Sequence, residues 1–512
     1  MTTLVFTRRF LTGYIRNPFN LLLLAVVPTI FVVVTGGTFA KASELLGGAG
    51  GPAVETATAG WAAAFLAGVA MYFQTAAARD TDRRVVIAGL PAGRLTLARL
   101  LTGGCLALLA ATSALVALAF RTGIDDPVRA IAGTLMFAVV YVAIGAVVGS
   151  VVPNPVNGTV IVLFVWIAEV FFGPTMGTAD QVAVRWLPTH FVTLWMVDMP
   201  SGHGGGIGDL GWALTATIAA IVVAWAVAAA RTRTVHRRVQ RVQPGSILDQ
   251  VTAASWAAWR DARRNPILWV LFVVVPVVFI LGAYAVTPDK LLTFSVVEDG
   301  RRIAQTYSQI DVHVLTGASA AIAYLAALAG LFAVLDSHDG DRRAALAGLR
   351  PAALLSARLG VLTVAAVGVT AVSLATTALV FDAARWPTFA AANLLIAITY
   401  GLIGALLGPI FGRVGGVFIA FLLPFLDIGI LQSPLLTPEP TTLSKSLPGY
   451  GGGRVLLDGA LTQGFDEVGP LLIGLGWLAA LALAVVLIYR STTQPDRTPR
   501  PASAQPAGAT TT

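Results

Sequence analysis

Two carboxylates stand where an acid is costly to keep. Glu169 and Asp427 each lie deep in an apolar run, 258 positions apart, with Val156 and Val414 and then Gly158 and Gly416 in the same register. A carboxylate at mid-bilayer costs about 2.5–3.5 kcal/mol on insertion scales, so such a group turns toward a protein interior or a wet cavity. Two chemistries are open to the pair. They could line a translocation path and attract a cationic or polar group, or they could lock helices together by hydrogen bonding. Other reactive groups offer less. His190, His203, His236, His313 and His338 form no i, i+4 pair and have no cysteines beside them, so nothing in the sequence points to a metal site. The single Cys105 lies inside an apolar run and can form no intrachain disulfide. A nucleotide-gripping P-loop needs Gly-Lys-Ser/Thr, and the only lysines, Lys41, Lys290 and Lys445, do not follow glycine. The chain is therefore expected to bind no cofactor and to hydrolyse no ATP by that mechanism. No Ser/His/Asp or His-rich constellation supports a membrane-embedded enzyme either.

A second set of residues has the chemistry of recognition. The segment Arg79–Arg99 contains Asp82, Arg83 and Arg84, followed by Gly89 and Leu90; the segment Asp336–Arg358 contains Asp341, Arg342 and Arg343, followed by Gly348 and Leu349. In each, charged residues precede Ala-Gly-Leu with a proline close behind. That order predicts a short helix stopped by Gly and Pro, a knob suited to a groove on a partner. The plainer reading is a solvated turn whose arginines only set topology.

The elements that must position these groups are membrane spans. With 56% hydrophobic and 12% charged residues over 512 positions, the chain is far more apolar than a soluble domain. Runs of about 20 apolar residues recur, each long enough to cross a hydrocarbon layer of roughly 30 Å as a helix. The expected spans are 19–37, 59–78, 100–120, 130–152, 156–175 and 208–230, then 267–286, 314–335, 359–381, 388–410, 414–434 and 468–489. The first is longer than the apolar core of a secretory signal and is read as a span. The expected fold is all-α and polytopic.

Internal repetition organises these spans into halves. Arg16-Asn17-Pro18 and Pro28 match Arg264-Asn265-Pro266 and Pro276 at an offset of 248; Asp82-Arg83-Arg84, Ala88-Gly89-Leu90 and Ala98-Arg99 match Asp341-Arg342-Arg343, Ala347-Gly348-Leu349 and Ala357-Arg358 at 259; Leu187-Pro188 and Asp198 match Leu447-Pro448 and Asp458 at 260. A tandem duplication follows: a first six-span half over 1–230, a basic linker over 231–245, a second half over 246–490 and a disordered Pro/Ser/Thr/Ala-rich tail over 491–512. If the N-terminus is cytoplasmic, 24 of the 34 Lys and Arg residues fall on the cytoplasmic side. The positive-inside rule then places both termini and the linker in the cytoplasm, and six spans per half make the repeats parallel. The +8 net charge is accounted for by this topology, with no nucleic-acid partner needed. Before each first span lies a mixed segment, Phe6, Phe10 and Tyr14 beside Arg8, Arg9 and Arg16, and Ile247, Leu248, Val251, Trp256 and Trp259 beside Arg260, Arg263 and Arg264. Both read as amphipathic helices lying in the inner interface.

In this ordered set the chain resembles the membrane subunits of type-two ABC exporters, the class of antibiotic and multidrug efflux permeases and of polysaccharide and lipid exporters. The interfacial helix before Arg-Asn-Pro, the charged loop between second and third spans and the Leu-Pro segment before the sixth span carry the resemblance, which covers both halves. It implies a fused pair of permeases in the cytoplasmic membrane, exporting a hydrophobic or amphiphilic compound such as an antibiotic, drug or lipid. It also implies two copies of a separate ATP-binding cassette subunit that holds ATP and Mg and docks on Asp82–Leu90 and Asp341–Leu349. Asp82 and Asp341 stand where many members of that family carry glutamate. The rival reading is a secondary transporter of the major facilitator type, also two parallel six-span halves. Gly340-Asp341-Arg342-Arg343 overlaps part of that family's loop motif, but the glycine spacing differs and Thr81 replaces Gly340 in the first half.

Overall fold

Proline placement and side-chain caps set where the helices begin. Pro18, Pro127 and Pro155 each occupy a first helical turn, where a missing N–H costs nothing, and Asp126 and Asn154 cap two of these starts by accepting from the N–H groups of Arg129 and of Val156 and Asn157. In the computed structural model, which describes residues 2–16, 18–177, 182–231, 266–337, 340–341, 343 and 351–493, the first half runs α1 (Thr2–Ile15), α2 (Pro18–Leu45), α3 (Gly51–Ile87), α4 (Ala92–Arg121), α5 (Pro127–Val151), α6 (Pro155–Phe172), α7 (His190–Met196) and α8 (Ile207–Arg231). The second half runs α9 (Pro266–Val286), a hairpin of β1 (Leu291–Glu298) and β2 (Arg301–Ser308), α10 (Gln309–Leu335), α11 (Pro351–Thr377), α12 (Trp386–Pro424), a π-helical continuation (Phe425–Leu431), α13 (Thr442–Lys445), α14 (Gly449–Leu461) and α15 (Val468–Thr493). Among the described residues, 11 helices are long and apolar enough to cross a membrane. The protein is an all-α polytopic membrane protein.

The expected spans 388–410 and 414–434 fall on one 46-residue helical run, Trp386–Leu431. Gly412 breaks that run with φ 66°, ψ −167°, a conformation that glycine reaches without steric cost. Two spans joined by a kink therefore replace two separate helices, and all twelve expected apolar segments are helical.

Matched positions make matched contacts. In the first half α3 packs along α5 so closely that a Cβ on Gly145 would run into the Gly68 carbonyl; in the second, α10 packs along α12 and a Cβ on Gly404 would run into the Ala327 carbonyl. Gly145 and Gly404 are 259 apart, as are Gly68 and Ala327. Small residues at a helix crossing let backbones meet where lipid gives no hydrophobic drive.

Two features depart from the reading of the loops. No separate short helix precedes Gly89: α3 runs on for 37 residues to Ile87. It ends in a Schellman turn, Gly89 N–H donating to Val86 O and Leu90 N–H to Val85 O, with Gly89 at φ 103°. The apolar Val85-Val86-Ile87 run keeps helical geometry, so the stop signal acts at the end of the long helix. The other departure is the hairpin, which accounts for the rise in offset from 248 to 259. Its Asp299-Gly300 turn has both φ values positive, 51° and 70°, as a two-residue hairpin turn requires. The Asp466 carboxylate accepts from both turn amides, at 3.0 and 3.1 Å.

The helix expected before the first span is present as α1, separate from α2. It lies against α4, where the Thr7 hydroxyl donates to Ala98 O and Phe10 sits 3.7 Å from the Arg99 guanidinium. Burial pushes the Tyr14 hydroxyl up to about 12, with Arg99 pulling the other way. Arg342, Gly348, Leu349, most of the linker, the second amphipathic segment and the chain beyond 493 lie outside the described residues.

Candidate functional site

Glu169 projects from α6 into a fully bonded environment. The Tyr141 hydroxyl of α5 donates to its Oε2 at 2.5 Å, and the Thr189 backbone N–H, at the start of α7, donates to its Oε1 at 2.5 Å. Asp427, in the π-helical stretch, has the same arrangement. It accepts from the Tyr400 hydroxyl of α12 at 2.6 Å, from the Gly449 N–H that opens α14 at 2.7 Å and from Gln432 Nε2 at 2.9 Å. Tyrosine, carboxylate and helix-start amide are offset by 259, 258 and 260 between the halves. Each buried acid thus pins the N-terminus of the helix after its Leu-Pro pair, where an anion meets the positive end of the backbone dipole. Charge-assisted bonds of this kind hold strongly in a water-poor interior.

The two carboxylates bond within their own halves and not to each other. Neither lines the apolar cavity described below. Of the two chemistries open to them, the geometry supplies hydrogen-bond partners for helix locking in both halves.

Asp198 and Asp458, matched in sequence, also take matched partners. Arg129, at the start of α5, reaches Asp198 at 2.9 Å, and Arg385, at the start of α12, reaches Asp458 at 2.7 Å. The segment around each short helix is therefore tied twice, once by a buried acid and once by an arginine.

At the end of the bundle that carries α1 and the last turns of α8 and α15, the charged segments divide into an inward and an outward set. Asp82 is buried and holds Arg99 by two bonds, of 2.9 and 2.6 Å. Asp341 is buried and holds Arg358 at 3.4 and 3.0 Å, while the Tyr489 hydroxyl donates to it at 2.7 Å. Asp82 braces the turn after α3, and neither acid presents a free carboxylate to a partner. Outward stand Arg84, Gly89 and Ile87, the last 74% exposed, with Arg83 and Leu90 half-buried. Arg343 is exposed in the second half.

Between the halves lies an aromatic septum that no motif announced. Phe65 of α3 meets Phe421 and Phe418 of α12 at 4.7 and 5.4 Å between ring centroids. Trp166 of α6 stands edge-on to Phe421 at 5.0 Å and donates from its indole to the Trp61 carbonyl. Phe425 stacks on Phe31 and Phe39 of α2 at 5.9 and 5.4 Å. Beside this septum, toward the end opposite the termini, an apolar cavity opens among α2, α6, α9, α10 and the π-helical stretch. Its wall includes Phe39, Phe171, Phe279, Tyr324 and Phe425, with His313 and Thr316 as polar points. Thr287 Oγ1 lies 2.6 Å from His313 Nδ1. The cavity is one-sided: Ala320 lines it, whereas Trp61 holds the position 259 residues earlier.

Sequence reasoning missed Tyr141, Tyr400, Thr189, Gly449 and the septum. The tyrosines could have been found from the register, since they repeat at 259, whereas Thr189 and Gly449 act through backbone amides and carry no side-chain signal. Among the described residues no group of His, Cys, Asp and Glu could hold a metal ion.

Residues 57–230 match the family described as ABC-2 family transporter protein. The match spans α3 from its second turn through α8. A search of curated proteins found no match. The matched segment, 174 of the 512 residues, is what the chain shares with that family, and the chain as a whole is a multi-pass membrane protein.

Proposed function

We propose that the chain is the fused permease of an ATP-driven exporter, two parallel six-span halves in one polypeptide, moving a hydrophobic or amphiphilic compound of the antibiotic, drug or lipid kind across the cytoplasmic membrane. The carrying observation is the aromatic septum between α2, α3 and α6 on one side and α12 on the other, with an apolar cavity beside it. A septum of rings closes the seam to water and ions while leaving the two halves free to part along it. The arginine distribution supports cytoplasmic termini, which would put the cavity on the outer side.

The ATPase is a separate protein in two copies, since this chain has no phosphate-gripping loop, and ATP and Mg belong to it. Its docking points are the segments 82–90 and 341–349. There the buried Asp82–Arg99 and Asp341–Arg358 pairs anchor the start of each segment, and Arg83, Arg84, Gly89, Leu90 and Ile87 in the first half, with Arg342, Arg343, Gly348 and Leu349 in the second, form the contact. Glu169 and Asp427 act on the path by fixing the segments that frame its outer end.

The test is reconstitution. The chain with its co-purifying ATP-binding protein in liposomes should move a lipophilic cationic dye only when ATP is supplied, and Phe421→Ala should leak the dye without ATP. Transport by the chain alone, driven by a proton gradient, would overturn this reading in favour of a secondary transporter.

A further inference from the structure

The first half contains a cationic pocket behind the turn that the transport reading assigns to docking. Arg79 and Arg83 from α3, Arg99 from α4 and Arg231 from α8 line it together with Thr75, Thr96 and Ser150, above a floor of Met71, Ala146 and Ala228. Among the described residues, Arg79 and Arg83 converge beside the Asp82 carboxylate, whose two oxygens are already taken by Arg99. Asp80, which also acts on Arg79, is exposed. Arg79 gives one N–H to the Gly149 carbonyl at 2.6 Å. Its Nε, the Nε of Arg83 and the Thr75 hydroxyl are all shut off from solvent with no hydrogen-bond partner. Arg83 and Arg231 both act on the Arg79 charge. Converging guanidinium groups with unspent donors repel one another unless an anion lies between them, and unsatisfied buried donors are costly.

The matched place in the second half is built differently. There the Tyr489 hydroxyl reaches Asp341, whereas residues 228–230, which correspond to that stretch of α15, are all alanine. The missing side chain leaves the space open in the first half.

We infer that this pocket binds a phosphate group, carried by an anionic phospholipid of the leaflet at the end of the bundle bearing the termini. Planar guanidinium forks match phosphate oxygens in pairs, and basic pockets between spans are where lipid headgroups lodge. The order of the lining, arginines toward the helix ends and Met71, Ala146 and Ala228 deeper, suits a headgroup with its chains running along α8. That helix is among the least covered of the spans, with 28% of its apolar window buried, so acyl chains have access.

The test uses the full chain alone, without an ATPase, so its outcome is independent of the transport reading. Native mass spectrometry in detergent with added phosphatidylglycerol or phosphatidylcholine should show one phosphatidylglycerol retained at concentrations at least tenfold below phosphatidylcholine. Arg79→Gln with Arg83→Gln should abolish that preference, and Arg9→Gln on α1 should keep it. Ala228→Leu, which fills the floor without touching a charge, should weaken retention at least tenfold and stands as the test if the double variant does not fold. Displacement by millimolar glycerol phosphate at undiminished affinity would assign the pocket to a soluble phosphate ester and overturn the lipid source. Equal retention by wild type and Ala228→Leu would overturn the site.

Discussion

Removing one oxygen from Tyr141 is the sharpest probe of the buried carboxylate. Tyr141→Phe leaves Glu169, among the described residues, with Thr189, whose backbone N–H and hydroxyl both reach it, and Tyr400→Phe takes one of three donors from Asp427. Hydrogen bonds to charged groups contribute about 1.5–3 kcal/mol, so each substitution should lower the midpoint of thermal unfolding. An unchanged midpoint in both would contradict the donor geometry. Glu169→Gln and Asp427→Asn retain an acceptor for the helix-start amide, so both should fold and still export cationic cargo at reduced rates. Complete loss of cationic cargo with neutral cargo unaffected would return the carboxylates to direct attraction. His190 supplies a pH handle on α7. Burial pushes its imidazole down to about 4, helped by Arg185 and His203 and opposed by Asp209, and its Nδ1 has no partner. Because the folded value lies below the ordinary 6.5, the unfolded chain binds the extra proton between these values. Stability is therefore full above pH 6.5 and falls as pH drops toward 4. His190→Gln should flatten the melting temperature across that window, which a pH series of melts would check.

At the scale of elements, the helix crossings and the terminal turns make separate predictions. Gly145 and Gly404 sit where a Cβ would strike a carbonyl of the facing helix, so Gly145→Val or Gly404→Val forces α3 from α5 or α10 from α12. Overpacking of this kind costs about 1–3 kcal/mol, measurable as a lower melting temperature in detergent. Gly104, with open space around it, is the control and should tolerate alanine. The turn after α3 exposes Ile87 and Arg84 while Asp82 faces inward. Ile87→Asp with Arg84→Glu should leave melting unchanged and cut transport per ATP hydrolysed at least tenfold. Asp82→Asn should instead lower stability, because Arg99 would lose a charged partner in a buried setting. If Ile87→Asp and Arg84→Glu change neither coupling nor complex formation in liposomes, the docking role of that turn is lost.

At the scale of the whole molecule, the seam between halves decides whether the protein is closed. Phe421 touches Phe65, Trp166, Tyr324 and Phe425, and truncating a buried phenylalanine costs about 3–5 kcal/mol in soluble cores. Phe421→Ala should therefore lower the melting temperature as well as leak dye, whereas Phe120→Ala, on an 89% exposed position, should do neither. Apolar run length was enough to locate the spans, and register to single out Glu169 and Asp427, because each is a property of residue types counted along the chain. The Asp82–Arg99 pair was present as two halves of a repeated motif, yet its inward turn was not legible, since Asp82 and Arg84 stand in one run of charged residues and only the face of α3 that each occupies decides which is buried. Thr189 and Gly449 escaped because the working group is a backbone amide, which every residue but proline carries. Phe65 and Phe421 are two among 24 phenylalanines, and nothing local distinguishes a ring at the seam from a ring against lipid. The hairpin at Asp299-Gly300 had a local turn signal, but its place is held by Asp466, 166 residues further on. Contacts between residues so far apart in the chain arise only when the spans pack together, so the seam, the one-sided cavity and the arginine pocket belong to the tertiary structure.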